Sequence, residues 1–321
     1  MKLPGKTLLL VTLLFAVVNG IIFFNRNNGF EYTRYTTHSR LYPANPGPSF
    51  FHKWNRYNQR FSTKELEQGL ILLNRYTGID TVAAEENKVI RIGAWLYKTF
   101  QQQVGKPGDS LSGLTPLALY TSLAANKSKL LWCGQFQAMV GFFCTAAGLT
   151  NRYVEIVPVG KGSNDGYHEV NEVWLTGIKK WVMTDATRNF LLVSKDNVAL
   201  SAAEYLDYRL EEKPGSFLIT RYNASINGTD TGLYDAPADN YFNKNYALRY
   251  YLTTNLAEVY TPVERLKRYI LADPWYEMYR PGFRGSSFLF RVKQFFFFGF
   301  LLWVLFLAAY WLFSGKRSNE N

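Results

Sequence analysis

The sequence predicts an α+β domain that lies between two membrane-spanning helices. Two apolar segments occupy the ends of the 321-residue chain, and the region between them begins with helical patterns and continues with strand patterns. Helices followed by an antiparallel run of strands are typical of α+β proteins. The composition suits a membrane protein, because 47% of the residues are hydrophobic and only 19% are charged, against about 25% charged residues in soluble domains.

Both end segments have the length of a membrane span. Residues 7–24 and residues 295–313 carry no charged side chain, and crossing a bilayer takes roughly 17–25 residues. The first segment could instead belong to a signal peptide that is cleaved near Val18-Asn19-Gly20. The apolar run continues past this poor cleavage site, which favours an uncleaved anchor.

Basic residues favour the cytoplasmic side for both termini. Lys2 and Lys6 precede the first segment, and Lys316 and Arg317 follow the second. Two further basic residues within 291–293 lie on the inner flank of the second span and argue for the opposite orientation. Long loops cross the membrane largely regardless of their charge, so the termini carry more weight. We expect a membrane protein with two spans whose residues 25–294 are extracytoplasmic.

These patterns divide the chain into five parts. They are an N-terminal anchor (1–24), an irregular extension with scattered glycine and proline (25–61), a core (62–200), a C-terminal extension that reaches the membrane (201–294), and the second span with a short cytoplasmic tail (295–321).

Four helices are predicted in the first half of the core. Ser62 and Glu65 form a capping box at the start of the first helix. The second covers about 82–103, where apolar residues recur at helical spacing. The third begins at Thr115-Pro116, an N-cap followed by proline in the first turn. The fourth runs from Cys133 to Ala147.

Three strands follow, at 153–159, 168–175 and 181–185. The region 201–290 is harder to interpret, although Thr261-Pro262 has the pattern of another helix start. A segment rich in tyrosine lies around 241–251. Its aromatic rings could stack on sugars, but packing in a core or an interface is the simpler interpretation.

The two cysteines, Cys133 and Cys144, are both predicted to be free thiols. On one helix they lie about 16 Å apart, and a disulfide needs Cα atoms within about 7 Å. Cys144 is expected to lie in the core. Cys133 stands in the first turn of its helix, where the positive end of the helix dipole favours a thiolate.

A cysteine nucleophile needs a base and a group that orients that base. Period-two alternation places His168 on one face of its strand, and Asp185 ends the next strand. A turn at Thr176-Gly177 would put these two residues directly opposite each other. A turn at Gly177-Ile178 would make them diagonal neighbours about 7–8 Å apart on one face. A shift of one residue would put them on opposite faces.

From spacing alone, a Cys133-His168-Asp185 triad is no better supported than a buried thiol beside a solvated histidine. Other kinds of site receive less support. The scattered histidines and cysteines have no metal-ligand spacing, and nothing in the sequence calls for a cofactor. The net charge of +11 is spread along the chain and forms no basic stripe for nucleic acid.

Two motifs nevertheless resemble the transglutaminase-like superfamily, whose fold is papain-like. They are LWCGQFQAMVGFFCTAAGLTNRYVEI (131–156) and HEVNEVWLTGIKKWVMTDATRN (168–189). The family pattern has Cys-Gly, a helix that ends in Ala-Gly-Leu, a histidine followed four residues later by Glu-Val, and a tryptophan four residues before an aspartate. The resemblance covers about residues 82–190. It implies that Cys133 is the nucleophile, His168 the general base and acid, and Asp185 the orienting carboxylate.

The chain departs from that pattern at two positions. Leu131 replaces a glycine that many members have two residues before the cysteine, and Val170 replaces a tryptophan two residues after the histidine. Both positions line the cleft in the family, so the resemblance does not define the shape of the substrate. The oxyanion hole should include the backbone N–H of Cys133. Trp132, Gln135 and Tyr120 are candidates for the second donor.

Two classes of function are therefore compatible with the sequence. The first is an enzyme that transfers the acyl group of a peptide or other amide through a thioester on Cys133, with either hydrolysis or crosslinking to an amine as the outcome. The second is a non-catalytic binding or scaffold subunit of a membrane complex in the envelope or a secretion system. Glu172 shares a face with His168 and could either tune it or make a structural hydrogen bond.

Overall fold

The structure is a computed structural model that describes residues 5–24, 37–38, 61–108, 111, 113–158, 167–211, 217–234, 241–251, 276–281 and 287–317. The extension 25–60, apart from residues 37–38, lies outside the described residues, as does the helix start predicted at Thr261-Pro262. The described residues fall into two compact units, one with the terminal helices and one with the region between them.

The α+β prediction is confirmed. The helices are α1 (Gly5–Phe24), α2 (Thr63–Thr77), α3 (Glu85–Phe100), α4 (Pro116–Ala125), α5 (Cys133–Ala146), α6 (Ala202–Leu210) and α7 (Ser287–Arg317). The strands are β1 (Thr37–His38), β2 (Asn151–Pro158), β3 (His168–Leu175), β4 (Lys180–Thr184), β5 (Leu192–Lys195), β6 (Val198–Ala199), β7 (Phe217–Asn223), β8 (Gly228–Tyr234), β9 (Tyr246–Tyr251) and β10 (Tyr276–Tyr279).

Helices α1 and α7 are each long and apolar enough to cross a membrane. They contain the predicted spans, and they pack against each other in antiparallel fashion. Phe15 contacts Phe296 and Phe300, and the indole N–H of Trp303 donates to the hydroxyl of Thr12 at 2.9 Å. Many of their large apolar side chains are exposed, as expected of helices that face lipid.

The helix starts in the core follow from local capping chemistry. Glu65 accepts from the backbone N–H of Ser62 at 3.0 Å, and the Ser62 hydroxyl accepts from the N–H of Glu65, so the capping box is present. Thr115 caps α4, with proline as the first helical residue. Helix α5 begins at Cys133, and Gly148 takes the left-handed conformation (φ +77°) just after its end.

The larger sheet has six strands in the order β1-β10-β9-β2-β3-β4. The pairs from β10 to β4 are antiparallel. Strand β9 pairs with β2, so a strand from the 201–294 segment lies in the same sheet as the strands of the 62–200 segment. A smaller sheet has the order β6-β5-β7-β8.

Two hydrophobic cores lie on the two sides of the larger sheet. Helices α2 to α5 pack on one face, where Val173 and Val182 contribute to the core. Helix α6 and part of the smaller sheet pack on the other face, where Val170 and Met183 contribute. The alternation of β3 between these two cores explains why most of its residues are buried.

Two glycines let α5 approach the sheet closely. A Cβ atom at Gly141 would lie 2.6 Å from the hydroxyl oxygen of Tyr153, and a Cβ atom at Gly134 would lie 3.1 Å from the carboxylate of Glu169. Both neighbours lie on the sheet face that α5 covers. This close contact sets the distance between α5 and the sheet. It thereby also sets the position of Cys133, the first residue of the helix.

Candidate active site

Cys133 is a partly exposed thiol at the first turn of α5. The side-chain oxygen of Gln135 accepts from the backbone N–H of Trp132 at 3.0 Å and so stabilises the start of the helix. The Cys133 sulfur lies 3.9 Å from the carbonyl oxygen of Tyr167. Trp132 is 55% exposed and Tyr167 is 50% exposed, so the thiol opens to the surface between two aromatic residues.

His168 begins β3 and pairs with Asp185. The Nε2 atom of His168 lies 2.6 Å from an oxygen of Asp185, and the two side chains are 4% and 1% exposed. In the observed register Asn171 pairs with Thr184 and Trp174 with Trp181. His168 and Asp185 are therefore diagonal neighbours on one face, as in the second of the three registers that the sequence allowed.

The Cys133 thiol lies close enough to the His168 imidazole to contribute to the raised pKa of that histidine. Because Nε2 already faces Asp185, Nδ1 is the ring nitrogen that remains for the thiol. The three predicted residues therefore meet in the order thiol, imidazole, carboxylate. This is the order that nucleophilic catalysis by cysteine requires.

The pKa of His168 is set by opposing effects. Burial lowers the pKa, while the charge of Asp185 and the hydrogen bonds to Asp185 and Cys133 raise it, with a net result of about 10. The imidazole is therefore protonated at neutral pH.

Asp185 is held by several groups besides His168. Its second oxygen accepts from the amide nitrogen of Gln137 and from the backbone N–H of Arg188, both at 3.3 Å. The Gln137 amide also donates to the hydroxyl of Thr187 at 3.1 Å. Gln137 comes from α5, so the helix that carries the thiol also positions the carboxylate.

Sequence reasoning missed three residues of this site. Gln137 lies four residues after Cys133, a spacing that places both on one side of a helix and could have revealed it. The ring of Tyr241 stacks on the His168 imidazole with 4.6 Å between centroids, but no local pattern predicted this contact. Burial raises the pKa of Glu169, while the nearby His168 lowers it to a smaller extent.

Glu172 makes structural contacts. It accepts from the Arg152 guanidinium at 2.8 Å and from the backbone N–H of Ala202 at 2.7 Å. The guanidinium lies between the rings of Trp181 and Tyr250. Glu172 and Trp181 therefore stabilise the sheet next to the site.

The candidates for the second oxyanion donor differ in their positions. Tyr120 packs on Phe143, which lies ten residues along α5 from Cys133, about 15 Å away. The N–H of Trp132 already donates to Gln135. Of the three candidates, the side-chain amide nitrogen of Gln135 therefore remains as a second donor beside the backbone N–H of Cys133.

Cys144 is fully buried in the first core, and burial raises the pKa of its thiol to about 12. Among the described residues, no group of three or more histidine, cysteine, aspartate or glutamate side chains is placed to hold a metal ion.

We compared the chain with protein-family models, with curated proteins and with solved structures. None of these comparisons gives a match. The function must therefore be inferred from the residues and their geometry.

His168 should control the alkylation of Cys133 in the full-length protein in detergent. At pH 7, Cys133 should react with iodoacetamide about tenfold or more faster in the wild type than in His168→Ala, because the variant lacks the imidazolium that persists below about pH 10.

Mass spectrometry of the modified peptides measures both rates, and Cys144 serves as the internal control that stays unmodified in the folded protein. Equal alkylation rates in the wild type and the His168→Ala variant would contradict the predicted effect of the imidazole on the thiol.

Proposed function

We propose that the chain is a membrane-anchored, transglutaminase-like enzyme that transfers acyl groups from a peptide or other amide substrate. The observation that carries this proposal is the convergence on one imidazole of a partly exposed thiol and a buried carboxylate, with 2.6 Å between His168 and Asp185. A papain-like fold is part of the proposal. Its support is a helix that begins at Cys133 and packs on an antiparallel sheet carrying the histidine and, just past the end of a strand, the aspartate.

The proposed reaction begins with attack by the Cys133 thiolate on the amide carbonyl carbon. The tetrahedral oxyanion receives hydrogen bonds from the Cys133 N–H and the Gln135 amide. His168 then donates its proton to the leaving amine, and a thioester remains on Cys133. Water or a second amine attacks the thioester with His168 as base, and the thiolate–imidazolium pair is restored.

Asp185 keeps the imidazole in the required orientation and stabilises its protonated form. Because the carboxylate faces Nε2, the proton on that nitrogen is held by Asp185 and the proton that moves is the one on Nδ1. A group that acts in this way aligns the base without being protonated itself.

The substrate is expected to bind across the exposed rings next to the thiol. Leu131 and Val170, at the positions where the chain departs from the family pattern, are both fully buried. Leu131 belongs to the hydrophobic core under the helices, and Val170 belongs to the core on the other face of the larger sheet. Trp132 and Tyr167 are therefore the side chains that shape the entrance, which suits a flat or aromatic group beside the reacting amide.

The activity test measures the amine released from a mixture of peptide amides. In parallel, added hydroxylamine traps the acyl group as a hydroxamate, which is measured as well. Cys133→Ala should abolish both signals. His168→Ala should lower the rate by about 10²–10⁴, the contribution of general acid–base catalysis, and Asp185→Asn should cost less. The double variant Cys133→Ala/Asp185→Asn should be no worse than Cys133→Ala, because the residues act as a unit.

Cys144→Ala is the matched control, because it also removes one thiol from α5 and should leave the activity intact. If Cys133→Ala retains full activity, or complements a deletion strain as well as the wild type does, the enzyme proposal fails and the scaffold function replaces it.

We also propose that α1 and α7 cross the membrane as an antiparallel pair, with the catalytic unit on the extracytoplasmic side. The basic residues at both ends of the chain support this orientation. A reporter that works only outside the cytoplasm should be active when it is fused after residue 60. A reporter that works only inside the cytoplasm should be active when it is fused to the C-terminus. A cytoplasmic signal from the fusion at residue 60 would overturn the orientation.

A further inference from the structure

A second cleft, separate from the candidate active site, opens on the outer side of the helical layer. It lies between the end of α2, the outer face of α3, the turn Gln101–Gln103, α4 and the β7–β8 hairpin, and its volume is about 960 Å³. None of the three candidate catalytic residues lines it. The volume is at the upper end of the range for small-molecule sites, roughly 300–1,000 Å³.

The described lining of this cleft is positively charged. It contains three basic side chains and no aspartate or glutamate. Each basic group donates to a neutral oxygen: Arg91 to the carbonyl of Thr77 at 2.9 Å, Lys98 to the amide of Asn227 at 2.7 Å, and Lys127 to the carbonyl of Thr99 at 3.3 Å. No carboxylate among the described residues neutralises them, so the cleft attracts anions.

Aromatic rings provide a flat wall in the same cleft. Tyr76 stacks on Trp95 with ring planes inclined by only 13° and 5.6 Å between centroids. Trp95 is 9% exposed, whereas Tyr76 is 54% exposed, so Tyr76 covers the indole and presents its own ring outwards. Tyr222 lines the cleft on the side of the hairpin. Flat aromatic faces of this kind bind the apolar faces of sugar rings as well as other planar groups.

Gln103 adds a buried acceptor to the lining. Its amide nitrogen donates to the carbonyls of Leu123, Asn126 and Lys129, at 3.3, 3.2 and 2.9 Å, which fixes the orientation of the amide. The amide oxygen has no hydrogen-bond partner, although the residue is only 2% exposed. An unpaired buried acceptor costs free energy.

We propose that this cleft binds an acidic sugar, as a free oligosaccharide or as part of a polysaccharide. The basic groups match a carboxylate on the ring, the Tyr76 face matches an apolar face of the ring, and the amides of Gln101 and Gln102 match the sugar hydroxyls. A simple anion would use only the basic groups. An acidic peptide would use them as well but would place no sugar ring on Tyr76.

The experiment is a calorimetric titration of the full-length protein in detergent with trigalacturonic acid, with maltotriose as the uncharged trisaccharide and triglutamate as the acidic peptide. Trigalacturonic acid should bind saturably and more weakly at high salt, and the other two should bind at least about tenfold more weakly. Lys98→Gln should weaken binding by about tenfold or more, the loss expected when a hydrogen bond to a charged group is removed. Tyr76→Leu should weaken binding by a similar factor, because the sugar loses the aromatic face on which it stacks.

Lys64→Gln is the control, because Lys64 is an exposed lysine on α2 that does not line the cleft, and it should bind like the wild type. Thermal unfolding of each variant separates loss of binding from loss of folding. The proposal is overturned if trigalacturonic acid does not bind, if maltotriose binds equally well, or if triglutamate binds equally well or better. Binding that the Lys98→Gln and Tyr76→Leu variants retain would also overturn it.

Discussion

The candidate site depends on keeping an imidazolium and a carboxylate charged inside the protein. Burying two charges is costly unless they pair closely and the remaining polar atoms find partners. His168 and Asp185 meet this condition with a separation of 2.6 Å, and Gln137 and the N–H of Arg188 bind the other carboxylate oxygen. The Tyr241 ring covers the imidazole and excludes water from the pair. The partly exposed thiol of Cys133 therefore lies beside the His168 imidazolium, whose position the fold fixes.

Three separate parts of the chain must be correctly placed for this pair to form. The register of β3 and β4 brings the two side chains to one face, and the strand end at Thr184 lets Asp185 cap the short turn Ala186–Arg188. Helix α5 supplies both the thiol and Gln137, and its close approach at Gly134 and Gly141 fixes its height above the sheet. Strand β9 supports the same sheet from the other side of β2.

Much of this arrangement could be predicted from local patterns. Capping residues located the helix starts at Ser62 and Thr115, and an apolar run located the helix that begins at Cys133. Alternation in β3 placed His168 on a face that Asp185 could share. The register could not be chosen, because the connection includes Lys179 in the left-handed conformation (φ +50°), which no sequence signal announces. Tyr241 could not be predicted either, since its contact with His168 joins residues 73 positions apart and depends on tertiary packing.

The central claim is that Asp185 keeps a buried His168 protonated beside Cys133. A pH titration of ¹⁵N-labelled histidine by NMR in the full-length protein tests it most directly, with the His168 signal identified by its loss in His168→Gln. The imidazolium should persist to about pH 10, and Asp185→Asn should lower its pKa, because burial is then opposed only by the smaller effect of Cys133. A His168 that titrates near 6.5 in the wild type, and does so equally in Asp185→Asn, would contradict the account.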